Sequence, residues 1–248
     1  MSAEEYGTDT EITQLLLISI LFISTFIHSA IGFGDALVAM PLLVLITKIQ
    51  IATPLVALVG LTSSFIILSN QWHLFNLHGI WRLFIATLIG IPFGLILIRF
   101  APEQLVKSIL GILLIIYGFY GLFELALPQL RDERLAGIFG FIAGVLGGGY
   151  NTNGPPIVIY GTLQRWSTDY YRINLQGYFF LTNCLIVTSH ALSGLWTTDV
   201  VRAYLYSLPA IAAGIFLGNL IGKRIPTKVF EKLIYGLLLA LGIIFTLE

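Results

Sequence analysis

Charged residues are scarce in this sequence: Asp, Glu, Lys and Arg make up 10% of 248 residues, against about 25% in an average soluble domain. Thirteen basic residues balance thirteen acidic ones, so the net charge does not point to a nucleic-acid partner. The single cysteine, Cys184, excludes an intrachain disulfide and lies in an apolar run typical of a core residue. With 57% apolar residues and a mean hydropathy of +0.90, the sequence predicts an all-α integral membrane protein.

Several motifs that carry chemistry are also missing. No HxxxH, CxxC or HExxH spacing occurs, so we expect no metal site. The sequence has no GxxxxGK[ST] phosphate loop, so we expect no cofactor and a driving force from an ion gradient or the membrane potential. A serine enzyme is disfavoured because GxSxG is absent and the neighbours His28 and Ser29 point about 100° apart on a helix.

The hydrophobic segments divide the chain into two sets of four. The N-terminal stretch is acidic and lacks the basic residues of a secretory signal, so we expect the first segment to be a retained span. We predict two membrane repeats, residues 1–127 and 128–248, that form one transmembrane domain. The runs with few or no charges are 12–47, 51–69, 83–98 and 108–123, followed by 135–164, 173–198, 203–222 and 233–247.

The segment 135–164 is uncharged and long enough to cross a bilayer, yet helix-breaking residues lie in its middle. Gly147–Gly149 and Pro155–Pro156 flank a polar stretch, which predicts two half-helices, roughly 135–146 and 155–164, that meet inside the membrane. A helix N-terminus presents free N–H groups and a partial positive charge, and such an end is suited to binding an anion.

The same pattern occurs in both sets of segments. Gly32 precedes Pro41 by nine residues, and Gly147, which lies 115 residues after Gly32, precedes Pro156 by nine. A second group recurs 124 residues further on: Gly90, Gly94, Arg99 and Pro102 correspond to Gly214, Gly218, Lys223 and Pro226. Two correspondences in the same order indicate an internal duplication, and a broken segment in each half predicts the binding site of a transporter.

The number of membrane segments depends on how each broken unit crosses the bilayer. A single crossing gives eight spans, whereas a hairpin gives ten segments and two inverted halves. In either arrangement nine of the thirteen basic residues lie inside if the N-terminus is outside. The distribution of basic residues therefore predicts an outer N-terminus and leaves both arrangements open.

Three ionisable residues in the hydrophobic units are candidates for proton coupling: Asp35, His28 and His190. Asp35 follows the first break, where a carboxylate is an N-cap, a functional charge or both. The uncharged residues of the second break can bind substrate oxygens at a lower desolvation cost than Lys or Arg. The predicted substrate-binding residues are Gly32, Phe33, Gly34, Asp35, Gly147, Gly148, Gly149, Tyr150, Asn151, Thr152, Asn153, Pro155, Gln176 and Asn183.

The glycine-rich breaks and the proline that follows each of them resemble the TauE/SafE family over nearly the whole chain. The first half has Gly32-Phe33-Gly34 and Pro41-Leu42-Leu43, and the second has Gly144, Gly147-Gly148-Gly149 and Pro155-Pro156. Asp35 and the insertion Tyr150–Asn153 depart from the family pattern. The resemblance implies a permease for sulfite or organosulfur anions in a bacterial or archaeal plasma membrane.

We therefore predict a secondary transporter, not an enzyme, that moves a small anion by alternating access. Sulfite, a sulfonate or a related sulfur oxyanion is the substrate that the resemblance implies. The alternatives are a passive anion channel and, less favoured, an intramembrane enzyme. The partners expected are the anion and the lipid bilayer; a homodimer, the direction of transport and the coupling ion stay open.

Overall fold

The structure is a computed structural model that describes residues 3–69, 72–123, 129, 132–221 and 227–247. In these residues the regular structure is helical, with two short 3-10 turns, Trp72–Leu74 and Leu77–Gly79, and no strand. The α-helices are α1 Ala3–Ile31, α2 Asp35–Ile46, α3 Ile49–Ser69, α4 Trp81–Phe100, α5 Glu103–Leu122, α6 Leu135–Tyr150, α7 Gly154–Leu163, α8 Thr168–Leu192, α9 Thr198–Ile221 and α10 Thr227–Leu247.

Five of these helices are long and apolar enough to cross a membrane: α3, α4 and α9 along their whole length, α1 over Ile12–Ile31 and α5 over Gln104–Leu122. Shorter apolar helices are α2, α6 and the stretch Lys232–Leu247 of α10. Many large apolar side chains, such as Phe100 and Ile116, lie on the outside of the helices, where lipid would cover them. The chain is therefore a multi-pass membrane protein.

Both broken units are observed, and the second break differs from its prediction. The first unit is interrupted between α1 and α2, at residues 32–34. In the second, the half-helix predicted to end at residue 146 extends to Tyr150, and the interruption is confined to residues 151–153. The glycines of the second cluster are therefore helical, which corrects their assignment to the break.

These glycines stay in the helix because α6 packs directly on the backbone of α4, and residues without a side chain permit this close contact. A methyl group on Gly148 would lie 2.4 Å from the Ile91 carbonyl oxygen, and one on Gly144 would lie 2.3 Å from that of Thr87. Such distances exclude any side chain unless the helices separate. The glycines thus form a close helix–helix seam of the small-residue type.

An equivalent seam joins α1 and α9. A methyl group on Gly218 would lie 2.4 Å from the Phe26 carbonyl oxygen, and one on Gly214 would lie 2.7 Å from that of Phe22. Gly90 and Gly94 of α4 take the same role opposite α6. Both glycine pairs that recur 124 residues apart in the sequence therefore let two helices approach closely.

The direction in which neighbouring helices run follows from the residues that touch. Along the α4–α6 and α1–α9 seams the residue numbers rise together, so both pairs are parallel. Between α5 and α10, Gly111 faces Gly242 while Gly118 faces Tyr235, so this pair is antiparallel. Between α3 and α8, residue 60 faces 183 and residue 65 faces 180, so this pair is antiparallel as well.

Candidate functional site

The two breaks meet at one cavity in the interior. Its walls come from the first break and the start of α2, from the second break and the start of α7, and from α8. The cavity measures about 20 Å³, room for about one water-sized group, since an ordered water needs roughly 10–15 Å³ on this scale. The lining residues are His28, Gly34, Asp35, Ala36, Leu37, Asn151, Thr152, Asn153, Gly154, Phe179 and Asn183.

Two glycines shape the first break. Gly32 and Gly34 both have a φ of 100°, a left-handed conformation that residues with a Cβ rarely adopt. Gly34 occupies the N-cap position of α2, so Asp35 is the first helical residue and not the N-cap. The turn directs the N-terminus of α2, with its free N–H groups, towards the cavity.

Asp35 pairs with His28 across this break. Asp35 Oδ2 lies 3.0 Å from His28 Nδ1, at an angle outside that of a well-aligned hydrogen bond. The other ring nitrogen, Nε2, lies 3.2 Å from Gln176 Oε1, and the amide nitrogen of Gln176 donates to the Gly32 carbonyl oxygen. A mostly buried carboxylate, 13% exposed, is thus matched by a histidine, which α8 holds in place.

The second break is polar and uncharged. Asn151 ends α6 in the left-handed conformation with a φ of 54°, which asparagine tolerates better than most residues. Asn153 Nδ2 donates to Thr182 Oγ1 of α8 over 2.9 Å. Asn151 Oδ1, Thr152 Oγ1 and Asn183 Oδ1 are buried and have no hydrogen-bond partner in the part of the chain that the structure describes.

These three unsatisfied oxygens are the clearest sign of a ligand site. Asn151, Thr152 and Asn183 are 3%, 1% and 4% exposed, and a buried polar group without a partner costs about 1–3 kcal/mol. All three residues line the cavity between the breaks. Native proteins rarely retain such groups unless a ligand, an ion or water binds them.

Gly60 of α3 completes the site, and the sequence analysis missed it. A methyl group on Gly60 would lie 3.0 Å from Asn183 Nδ2 and 3.3 Å from both Asn151 Nδ2 and Asp35 Oδ2. Its missing side chain therefore provides the space in which groups from both breaks and from α8 converge. A glycine in an apolar helix is also typical of helix packing, so its sequence signal could not reveal this role.

The remaining predicted site residues lie outside the cavity wall. Gly32 and Gln176 bond each other behind the first break, and Phe33 lines a neighbouring apolar pocket. The other predicted residues support the second break. Gly147 lies beside Ile186 and Asn153, and Gly148 and Gly149 pack against α4. Tyr150 donates to the Val106 carbonyl oxygen, and Pro155 lies in the first turn of α7. His190 contacts the Gly148 carbonyl oxygen through Nε2 over 3.0 Å.

With this geometry in place, comparison with known proteins identifies the family. A model of the family described as sulfite exporter TauE/SafE matches residues 16–245, nearly the whole chain. The chain belongs to this family. No curated protein and no solved structure matches it.

Membership in the TauE/SafE family confirms the resemblance carried by the glycine-rich breaks and the prolines that follow them. The family consists of membrane transporters for sulfite and related organosulfur anions, in agreement with the apolar helices. The chain is therefore a membrane transporter of this family, and the cavity between the two breaks is its candidate substrate site.

Proposed function

We propose that this protein is a secondary transporter that moves a small sulfur oxyanion, such as sulfite or a sulfonate, across the cell membrane by alternating access. The convergence of both breaks on one polar cavity, where the amide nitrogens of Asn151 and Asn183 lie close together beside Gly60, carries this proposal. The N-termini of α2 and α7 start at this cavity. Helix N-termini and amide groups are the donors that bind anions without a large desolvation cost.

The directions of the helices support ten membrane segments in two inverted halves. If each broken unit crossed the membrane once, each half would contain four crossings, and the equivalent helices α5 and α10 would be parallel. They run antiparallel, and so do α3 and α8. Five segments per half, with each broken unit as a hairpin, account for both pairs and also for the parallel seams.

In this arrangement the hairpins α1–α2 and α6–α7 enter the membrane from opposite sides and touch at their tips. The second arms fit the distance from the surface to the middle of the bilayer. With 12 residues in α2 and 10 in α7, they are about 18 and 15 Å long, roughly half of a hydrocarbon core of about 30 Å. We place the N-terminus outside, as the distribution of basic residues predicts.

The cavity is too small for a sulfur oxyanion as it stands. The cavity holds about one water-sized group, and an anion with several oxygen atoms is larger than this. The two tips must therefore separate to admit the anion. We infer that the structure represents a closed state. Rocking of one inverted half against the other would then open the site to either side in turn.

Uptake of labelled sulfite into proteoliposomes tests the function, with and without an imposed pH gradient and with unlabelled sulfonates, thiosulfate and sulfate as competitors. We expect saturable flux that responds to the gradient. Flux that rises linearly with concentration would favour a channel. No flux of any of these anions would overturn the proposed substrate class.

Asn183→Leu provides a matched test of the site. Leucine has nearly the shape of asparagine, and the Asn183 oxygen has no partner in the described protein, so little folding stability should be lost. We expect sulfite flux to fall at least about tenfold, equal to the loss of about 1.4 kcal/mol of substrate binding. Thr188→Val on an exposed face of the same helix is the control and should keep wild-type flux.

A further inference from the structure

The hydrogen bonds around His28 determine which ring nitrogen carries a proton. The Gly32 carbonyl oxygen can only accept, so the group that Gln176 presents to it must be the amide NH2. The Gln176 oxygen then faces His28 Nε2, and an amide oxygen also only accepts. His28 Nε2 must therefore be protonated, whatever happens at the other nitrogen.

Nδ1 of the same ring, 3.0 Å from Asp35 Oδ2, then has two arrangements that avoid electrostatic repulsion. Either Nδ1 carries a proton and faces an Asp35 carboxylate, or Nδ1 is bare and faces an Asp35 carboxylic acid. Both arrangements hold one proton between the two atoms and have no net charge. Removing this proton would leave a lone pair against a carboxylate, and adding a second gives a net charge of +1.

No other ionisable side chain sets the charge of this site within the described residues. The rest of the cavity wall consists of glycine, alanine, leucine and phenylalanine together with amide and hydroxyl side chains from the second break and α8. On the side of α3, Gly60 lies next to the side chains of Asp35, Asn151 and Asn183. Among the described residues, His28 is the charged side chain that acts on Asp35, and Asp35 is the one that acts on His28.

We propose that the His28–Asp35 pair keeps one shared proton while the site is free of substrate and takes up a second proton when an anion binds. This inference rests on the proposed anion transport and identifies its coupling ion. An ionised Asp35 would repel an anion in the cavity. With a proton taken from the aqueous phase, the Asp35 carboxyl group becomes a hydrogen-bond donor to the anion, and the His28 imidazolium balances its charge.

The consequence is co-transport of one proton with each monovalent anion, without net movement of charge. A pH difference of one unit would then drive up to about tenfold accumulation, and the membrane potential alone would drive none. Gln176 is a positioning residue in this scheme. It contacts His28 and the tip of the hairpin, and it determines that Nδ1, not Nε2, exchanges the proton with Asp35.

The first test needs no substrate: nitrogen NMR of protein labelled with 15N-histidine, with His28→Gln to assign the signals. Wild type should show a protonated His28 Nε2 across neutral pH, and Gln176→Leu should show a mixture of tautomers. If His28→Gln does not fold, the variant His73→Gln/His78→Gln/His190→Gln leaves His28 as the only histidine. An unprotonated His28 Nε2 in wild type would overturn the proposal.

The second test counts protons by titration calorimetry with methanesulfonate, which stays monovalent at all working pH values. Binding heats in buffers of different ionisation enthalpy should give uptake of about one proton per anion in wild type and none in Asp35→Asn. Anion binding to wild type without proton uptake would refute the coupling while leaving the proposed function intact. If neither methanesulfonate nor sulfite binds, the proposed function fails and the coupled step with it.

Flux measurements separate the role of Gln176 from simple packing. We expect Gln176→Leu to shift the pH profile of methanesulfonate flux, whereas Thr188→Val should leave both rate and profile unchanged. A loss of flux by the same factor at every pH would mean that Gln176 only supports the hairpin, and would refute its positioning role.

Discussion

The tips of the two proposed hairpins are built alike but differ in chemistry. Each follows a helix held by a glycine seam, α1 against α9 and α6 against α4, and each precedes a short helix that starts at the cavity. The first tip contains the His28–Asp35 pair, whereas the described side chains of the second, residues 151–153, are neutral. The two tips have a similar backbone, which provides the helix ends. Their side chains differ, because only the first tip has groups that can titrate, His28 and Asp35.

α8 supports both tips, again by different means. Gln176 donates to the Gly32 carbonyl oxygen at the first tip, and Thr182 accepts from Asn153 at the second. The first contact reaches the His28–Asp35 pair through His28, while the second involves no ionisable group. Changes that affect the seams should therefore act equally on the two halves, and changes at the tips should not.

The largest expected effect comes from filling the seams. Gly144→Ala and Gly218→Ala would each place a methyl group within 2.4 Å of a backbone carbonyl oxygen. Because a backbone cannot move aside as a side chain can, we expect each to lower the free energy of unfolding by about 1–3 kcal/mol or more. Thermal unfolding in detergent would measure both.

Gly137→Ala and Gly236→Ala are the controls, since nothing lies within 4 Å of their added methyl groups. They should keep wild-type stability or exceed it slightly because alanine favours helices. A strong loss in only one of the two seam variants would contradict the proposed equivalence of the two halves.

Moving the charge between the tips should have the next largest effect. Asp35 Oδ2 and Asn151 Nδ2 lie at the same distance, 3.3 Å, from the methyl position on Gly60. Asn151→Asp would put two carboxylates beside one histidine, so we expect anion flux to fall by at least about tenfold. The double variant Asp35→Asn/Asn151→Asp restores a single carboxylate and should recover part of this flux in proteoliposomes.

Asp35→Asn alone should keep sulfite binding but lose the response of flux to a pH gradient. If Asn151→Asp transports like wild type and the double variant is no better than the single one, the charge at the tips has no influence on the anion. The proposed difference between the tips would then be wrong.

Much of the fold was predictable because its signals are local. Long uncharged runs and the repeated Gly–Pro spacing identify the membrane helices and both broken units. The end of α6 was not predictable from composition, since glycine breaks an isolated helix yet promotes packing when another backbone lies against it. That choice depends on α4, a neighbour more than 40 residues away in the chain.

The site was predictable in part. Asp35, His28 and the polar residues of the second break are unusual in a hydrophobic segment, and the structure brings them to one cavity. The pairing of Gln176 with Gly32 depends on how α8 packs, and the space at Gly60 depends on how α3 packs. No residue spacing in the sequence predicts either contact. The directions of α5 and α10, which bear on the number of segments, likewise arise only from tertiary contacts.

A moderate effect is expected from Gly60→Ala, which adds volume between the tips. The methyl group would lie 3.0–3.3 Å from three polar side-chain atoms, so those side chains must shift by a few tenths of an ångström. We expect near wild-type stability and a several-fold higher KM for sulfite, with a larger increase for bulkier sulfonates. An unchanged preference among these anions would mean that the substrate does not occupy the space beside Gly60.

The smallest effect should come from Thr182→Val, which removes a contact from the neutral tip alone. Asn153 Nδ2 loses its acceptor inside the protein, which costs about 1 kcal/mol of unfolding free energy, and Thr182→Ser should restore it. Because no ionisable group is involved, flux should fall only slightly and its pH profile should stay that of wild type. If Thr182→Val shifted the pH profile of flux as Gln176→Leu does, α8 would couple both tips to the proton. The two tips would then differ in their side chains but not in their function.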